Sequence, residues 1–369
     1  MKPIHNPLAR SAAALGLAAA ATAAPLASAD GYVRMDIPAR QSLLTEQLGL
    51  IAEQTRLPMV TAAQLPEGVR ARLGQGNGEV ASLAFGTGGI PFTTRKASTE
   101  TGSHKTIRFM PYAPTGKLWM QFGVSYFVCT ASIIDKGLLV TAAHCITDFG
   151  EGNSPDAVWF EPNRHKGATF YGTFTVSAIF VPPTYLDGTD VCNPGAVGIV
   201  CENDLAVLVT DSNGGEVADV VGGYYGTAVN NYSYVSNFPA TGRTATQITQ
   251  LGYPVSLHAG KQMIRTDSLG EQDDYNNVII GTDQTGGSSG GPWLANFGSS
   301  ITNRDATENP EPSDNQDNVV IGTTSWGYLD GSIKIGGASR FGNNTAYPTT
   351  TNIDSLHNGA CSEFPSKCY

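Results

Sequence analysis

Thr285-Gly286-Gly287-Ser288-Ser289-Gly290-Gly291-Pro292 sets a serine pair among four glycines. Such a run suits neither a helix nor a central strand, because glycine weakens both and proline removes a donor. It reads as a tight loop whose backbone can approach a bound molecule closely. Ser289 is then a candidate nucleophile. The amides of Gly287 and Ser289 are candidates for an oxyanion hole, where one lost donor costs about 3 kcal/mol of barrier. A serine hydroxyl attacks poorly at its own pKa. It needs an imidazole to take its proton and a carboxylate to orient that imidazole.

Both partners lie upstream. Asn203-Asp204-Leu205-Ala206 puts an acid at the mouth of the apolar run Leu205–Val209, where a carboxylate can be taken out of water. Thr141-Ala142-Ala143-His144-Cys145 follows Leu138-Leu139-Val140, a run that would hold the ring rigidly at a strand end. His5, His104, His165, His258 and His357 have no such setting. Singly, each of the three residues reads as a turn or core residue. Their conjunction supplies base, acid and nucleophile in the chain order His144, Asp204, Ser289. The serine loop also fits Gly-x-Ser-x-Gly, but that hydrolase class needs its histidine after the serine. Only His357 follows, and beside Asn358-Gly359 it reads as a turn residue in a polar tail.

The rest of the chain points to an all-β domain. Leu118 to Val128, Ser132 to Ile134, Leu138 to Thr141, Ala157 to Phe160, Phe174 to Val181, Leu205 to Val209, Val278 to Ile280 and Val319 to Ser325 are β-branched or aromatic runs. Gly, Pro, Asn and Asp punctuate them. Without alternating helical segments, the pattern predicts a barrel or sandwich and not a parallel sheet. The net charge is -10, with no basic stripe, which argues against a nucleic-acid partner.

Residues 1–29 read as a signal peptide: Lys2 and Arg10 come first, an Ala- and Leu-rich stretch follows, and Ala27-Ser28-Ala29 offers a cleavage site. No other stretch reads as a membrane span. Residues 30–96 read as a pro-segment and linker. Leu44, Leu48 and Ile51 predict an amphipathic helix in it, and Gly86 to Lys105, with Arg95-Lys96, reads as an exposed, cleavable linker. Residues 97–369 form the main domain. Six cysteines in an exported chain suit disulfides. Proximity suggests Cys129–Cys145, Cys192–Cys201 and Cys361–Cys368. No Cys-x-x-Cys indicates a metal, and no cofactor is called for. The Asp- and Asn-rich stretch from Asp305 to Asn318 reads as a solvated insertion without a full calcium-ligand pattern.

From about Thr106 onward the chain resembles a trypsin-like serine peptidase of the chymotrypsin fold. The resemblance rests on Cys129 with Thr141–Cys145, on Asn203–Leu208, on Gly287–Pro292, and on Thr323-Thr324-Ser325-Trp326-Gly327. It implies two six-stranded antiparallel β-barrels with His144, Asp204 and Ser289 in the cleft between them. It implies a Cys129–Cys145 bridge beside the base, stabilising by roughly 3 kcal/mol. It implies a substrate strand laid along Ser325, Trp326 and Gly327, and a pocket carboxylate at Asp283 that favours Arg or Lys at P1.

Departures from animal trypsins narrow the branch. Ser288 stands where those enzymes use an aspartate to bind a freed amine, and Thr285 replaces a pocket cysteine. Both features resemble secreted bacterial members, glutamyl-endopeptidase-like enzymes included, although Thr324 is not the histidine a glutamyl preference implies. The expectation is a secreted, monomeric zymogen of a serine endopeptidase acting on proteins or peptides. The alternatives are a glutamyl-specific enzyme and a non-catalytic binding protein on the same fold.

Overall fold

Short β-branched and aromatic runs, each ended by Gly, Pro or Asn, build two rings of strands. The computed structural model describes residues 26–27, 31–38, 54–55, 59–60, 90–98, 105–192, 201–229, 245–273, 277–298, 316–328 and 332–369. Five short strands come first: β1 (Leu26–Ala27), β2 (Val33–Asp36), β3 (Gln54–Thr55), β4 (Met59–Val60) and β5 (Phe92–Lys96). Next come β6 (Thr115–Phe122), β7 (Ser125–Asp135), β8 (Leu138–Thr141), β9 (Ala157–Pro162), β10 (Phe174–Val181) and β11 (Ala206–Thr210). The C-terminal half holds β12 (Gly226–Thr227), β13 (Ala245–Gly252), β14 (Ile264–Asp273) and β15 (Asn277–Gly281). It also holds β16 (Pro292–Ala295), β17 (Val319–Tyr328) and β18 (Ile335–Arg340).

The first ring runs β10-β11-β8-β7-β6-β9 and closes where Phe160 and Trp159 of β9 face Phe174 and Thr175 of β10. The second runs β17-β16-β13-β14-β15-β18 and closes through β17 and β18. Neighbours within each ring are antiparallel. The expected pair of six-stranded barrels is therefore present.

Side-chain alternation sorts the core. In β11 and the residue before it, Ala206 and Leu208 enter the first barrel, while Leu205, Val207 and Val209 join the layer between barrels. Both faces are buried, which is why this strand reads as an unbroken apolar run. Ile248, Val278, Ile280, Trp293 and Ile321 fill the second barrel. A buried polar group ties the barrels together. Lys117 Nζ donates to Gly260 O at 3.0 Å; Glu161 accepts from Trp119 Nε1 at 2.9 Å and pairs with Arg164.

Three expectations need correction, and four barrel strands lack a sequence signal. The run from Leu118 to Val128 is not one strand but a hairpin: Gly123, at φ +60°, turns the chain, and Val124 is 96% exposed at the tip. A β-branched residue hid the turn, because glycine in the left-handed region is enough to make it. Part of the supposed linker is ordered sheet: Phe92–Lys96 pairs with Ile264–Ser268, so Phe-Thr-Thr strand propensity overrides the polar composition. His357 is not in a tail. It sits in a helix, Asn352–Glu363, capped by the Thr351 hydroxyl, and its Nε2 lies 2.8 Å from Asp135 Oδ2. Gly359 hid that helix from a propensity reading, yet it is needed: a Cβ there would stand 2.5 Å from the Tyr32 ring. Finally, β13, β14, β16 and β18 were not anticipated from the sequence.

The signal peptide other than Leu26–Ala27, the helix expected over Leu44–Ile51 and most of Asp305–Asn318 lie outside the described residues. Among the described residues no helix is long and apolar enough to cross a membrane. All three expected disulfides are formed: Cys129–Cys145, Cys192–Cys201 and Cys361–Cys368.

Candidate active site

β8 ends at Thr141 and delivers a single helical turn, Ala143–Ile146, that carries His144. The adjacent Cys145 is anchored to β7 by its bridge to Cys129. β8 pairs with β11, and the residues entering β11 bring Asp204 to the same end of the barrel. Asp204 is fully buried. Its Oδ1 accepts from His144 N at 2.9 Å, and its Oδ2 lies 2.7 Å from His144 Nδ1. Ser325 Oγ donates to the same Oδ2 at 2.5 Å. These three partners satisfy the buried carboxylate without water. A proton on Nδ1 leaves the Nε2 lone pair to act as a base.

A ring of polar groups sets Asp204 in place. Asn203 donates its backbone N–H to Asp190 Oδ2 at 2.8 Å and its side-chain amide to Asp190 Oδ1 at 2.7 Å. Its own Oδ1 accepts from Asn344 at 2.7 Å and Asn352 at 3.2 Å. Burial pushes the Asp190 carboxyl up to about 6, and the two Asn203 hydrogen bonds only partly oppose that.

The serine loop is clamped between the barrels. Thr130 N donates to Ser289 O at 2.7 Å, and Thr130 Oγ1 donates to Gly287 O at 2.8 Å. Gly290 N donates to Thr324 O at 2.8 Å. Gly290, at φ +73°, packs so closely that a Cβ would stand 1.9 Å from Thr141 Oγ1 and 2.7 Å from Ala142 N. The loop thus lies against the residues just before His144. Ser289 Oγ is buried and makes no hydrogen bond among the described residues.

Val255 N donates to Gly286 O at 2.8 Å. A trans peptide points its N–H opposite its carbonyl, so this bond also aims the Gly287 N–H. Gly287 takes φ +95°, a conformation that glycine alone adopts freely. Asp283 Oδ1 accepts from Thr94 Oγ1 of β5 at 2.7 Å, and no cation pairs with it among the described residues. Thr324 Oγ1 accepts from Gln250 Nε2 at 3.0 Å and Trp293 Nε1 at 2.9 Å. Trp326 is buried against Gly337, where a Cβ would stand 2.0 Å from the indole.

The structure therefore joins His144, Asp204 and Ser325 directly and packs the Ser289 loop beside them. Thr130, Val255, Thr94 and Asp190 are the supports that the sequence did not single out. Only Thr130 had a signal, as the neighbour of Cys129.

The family model named Trypsin matches residues 111–345. This chain belongs to the trypsin family. Its member here is 25% identical over 167 residues to a glutamyl endopeptidase of Bacillus licheniformis, an alignment spanning 44% of each chain. The chain thus spans less than half the length of that curated relative. The solved structure of the protease Anisep from Arthrobacter nicotinovorans shares 25% identity at a TM-score of 0.49, covering 68% of this trypsin-family chain and 96% of that one. A thermostable serine protease, AL20, from an extremophile gives 20% and 0.49, covering 66% and 97%.

Proposed function

We propose that this trypsin-family chain is an exported serine endopeptidase that cuts peptide bonds through an acyl-enzyme. The observation that carries the reading is the buried His144–Asp204 pair with Ser325 on the same carboxylate oxygen. His144 Nε2 takes the Ser289 proton as Oγ attacks the carbonyl. Asp204 holds the ring's tautomer and stabilises the imidazolium that forms. The Gly287 and Ser289 amides meet the developing oxyanion; among the described residues neither donates elsewhere. His144 then protonates the leaving amine, and water repeats the sequence on the acyl ester. A fluorophosphonate is expected to label Ser289, and Ser289→Ala to lose about 10⁶-fold in turnover. Near-native hydrolysis by that variant would refute the mechanism and return the chain to the non-catalytic alternative.

For P1 we favour Arg or Lys. Asp283 carries a half-buried carboxylate with no cation beside it among the described residues. A positively charged side chain satisfies that acceptor. An acidic one, which the name of the Bacillus relative suggests, would face a like charge. A peptide panel decides: preference for Glu, or undiminished cleavage after Arg by Asp283→Ala, removes Asp283 from the role.

A further inference from the structure

Two strands of the barrels are longer than their partners, and the overhangs flank the serine loop. β7 pairs with β8 only from Ser132 to Asp135, which leaves one edge of Phe127–Val128 open. β17 pairs with β16 only as far as Thr323, which leaves one edge of Gly327–Tyr328 open. Both edges are occupied by the chain's own N-terminal part. Gln54 and Thr55 pair in parallel with Phe127 and Val128, and Met59 and Val60 pair in parallel with Gly327 and Tyr328. Three residues join the two pairs. Thr55 lies against the loop itself: a Cβ on Gly286 would stand 2.6 Å from Thr55 Oγ1, one residue before Gly287.

We infer that Gln54–Thr55 and Met59–Val60 are the two anchors of an autoinhibitory strap, seated on the open edges of β7 and β17 in the polarity opposite to a substrate. The inference rests on the peptidase reading. On that reading a substrate lays the half N-terminal to its cut bond along Ser325–Gly327. The strap runs the other way, from β7 to β17. It takes that edge of β17, and the open edge of β7 on the other side of the serine loop, by main-chain pairing, which is sequence-tolerant and excludes a second strand. Reversal turns its peptide groups against the direction of attack. Productive chemistry needs the reacting carbonyl held in one orientation, so the strap blocks without being cut. Gln54 and Thr55 are exposed, yet the occupied cleft needs no tight intrinsic binding. A tethered segment acts at an effective concentration on the order of 1 mM, so an intrinsic Kd of about 0.1 mM leaves the cleft free roughly one-tenth of the time.

The test compares the secreted full chain before and after it is processed. Initial peptide hydrolysis by the uncut chain is expected to be roughly tenfold slower than by the processed enzyme, from the occupancy above. Gln54→Pro with Thr55→Pro removes whichever of those amides donates and is expected to bring the uncut chain to within about twofold of the processed rate. Uncut wild-type chain as active as the processed form overturns the strap and leaves the peptidase standing. No hydrolysis by either form overturns the peptidase reading instead. Because paired prolines can also impair folding, a synthetic peptide of residues 50–62 is added to processed wild-type enzyme as a second measurement. Competitive inhibition near 0.1 mM, on the order set by the tether argument, supports the strap. Absence of inhibition up to several mM, or rapid cleavage of the peptide after Arg56, overturns it.

Discussion

Replacing Asp190 by Asn should change how stability depends on pH, with the active site's own residues untouched. Asp190 is 9% exposed, and its carboxyl is pushed up to about 6 from 3.8, chiefly by burial. A group whose folded pKa is raised favours folding in its protonated form. Its contribution is complete below the unfolded value and is lost as pH rises through the folded one. The shift is worth about 3 kcal/mol in full, and about 2.5 kcal/mol of it falls between pH 4 and pH 7. Asn cannot ionise, so the variant lacks this loss. It does turn one amide hydrogen toward an Asn203 donor, at a cost of about 1–3 kcal/mol, but that cost is the same at both pH values. The quantity to measure is the unfolding free energy from urea melts of wild type and variant at pH 4 and pH 7. The difference, variant minus wild type, is expected to rise by about 2.5 kcal/mol from the lower to the higher pH. Other carboxylates cancel in that double difference. A difference that stays flat, or falls, refutes the claim that Asp190 is folded at an energetic cost when charged.

Three further outcomes follow from packing and pairing. Ser325→Ala removes a charge-assisted bond to Asp204 Oδ2, worth about 1.5–3 kcal/mol, so kcat should fall at least tenfold with KM little changed; steady-state kinetics checks it. Gly290→Ala drives a methyl into Thr141 Oγ1 and the Thr130 carbonyl at a left-handed backbone position, and about 3 kcal/mol of stability should be lost together with fluorophosphonate labelling. Glu161→Ala strands Arg164 in the layer between the barrels and should cost about 3–5 kcal/mol in urea melts, far more than removing an exposed pair such as Arg34 with Asp36.

What the sequence revealed and what it concealed divide along one physical line. His144, Asp204 and the Ser289 loop were legible because their settings are local: an apolar strand feeding each, or glycines around it. The barrels were legible where both faces of a strand are buried, as in Leu205–Val209. They were not legible in β18, Ile-Gly-Gly-Ala-Ser-Arg, whose glycines look like loop. Those glycines are there because the Trp326 indole occupies the space beside Gly337, a reason that exists only once β17 and β18 are paired. The C-terminal helix was hidden in the same way by Gly359 under Tyr32. Propensity yields to packing at such positions.

The same line explains why Arg95-Lys96 was misplaced in a linker. Polar residues on an edge strand meet solvent on one side and lose nothing by pairing on the other, so composition cannot tell edge strand from loop. The pairing has a functional consequence. Thr94 reaches Asp283 from β5, and a Cβ on Gly281 would stand 2.3 Å from the Ile90 carbonyl. Residues 90–97 are therefore part of the second barrel's wall. A cut inside Arg95-Lys96, as the composition suggests, would remove the donor that holds the proposed pocket carboxylate. A cut between Val60 and Ile90 would release the strap and leave β5 in place. The mature N-terminus is accordingly expected upstream of Ile90, and N-terminal sequencing of the active form checks it; a start at or after Lys96 would show that β5 is dispensable and that Asp283 is held some other way.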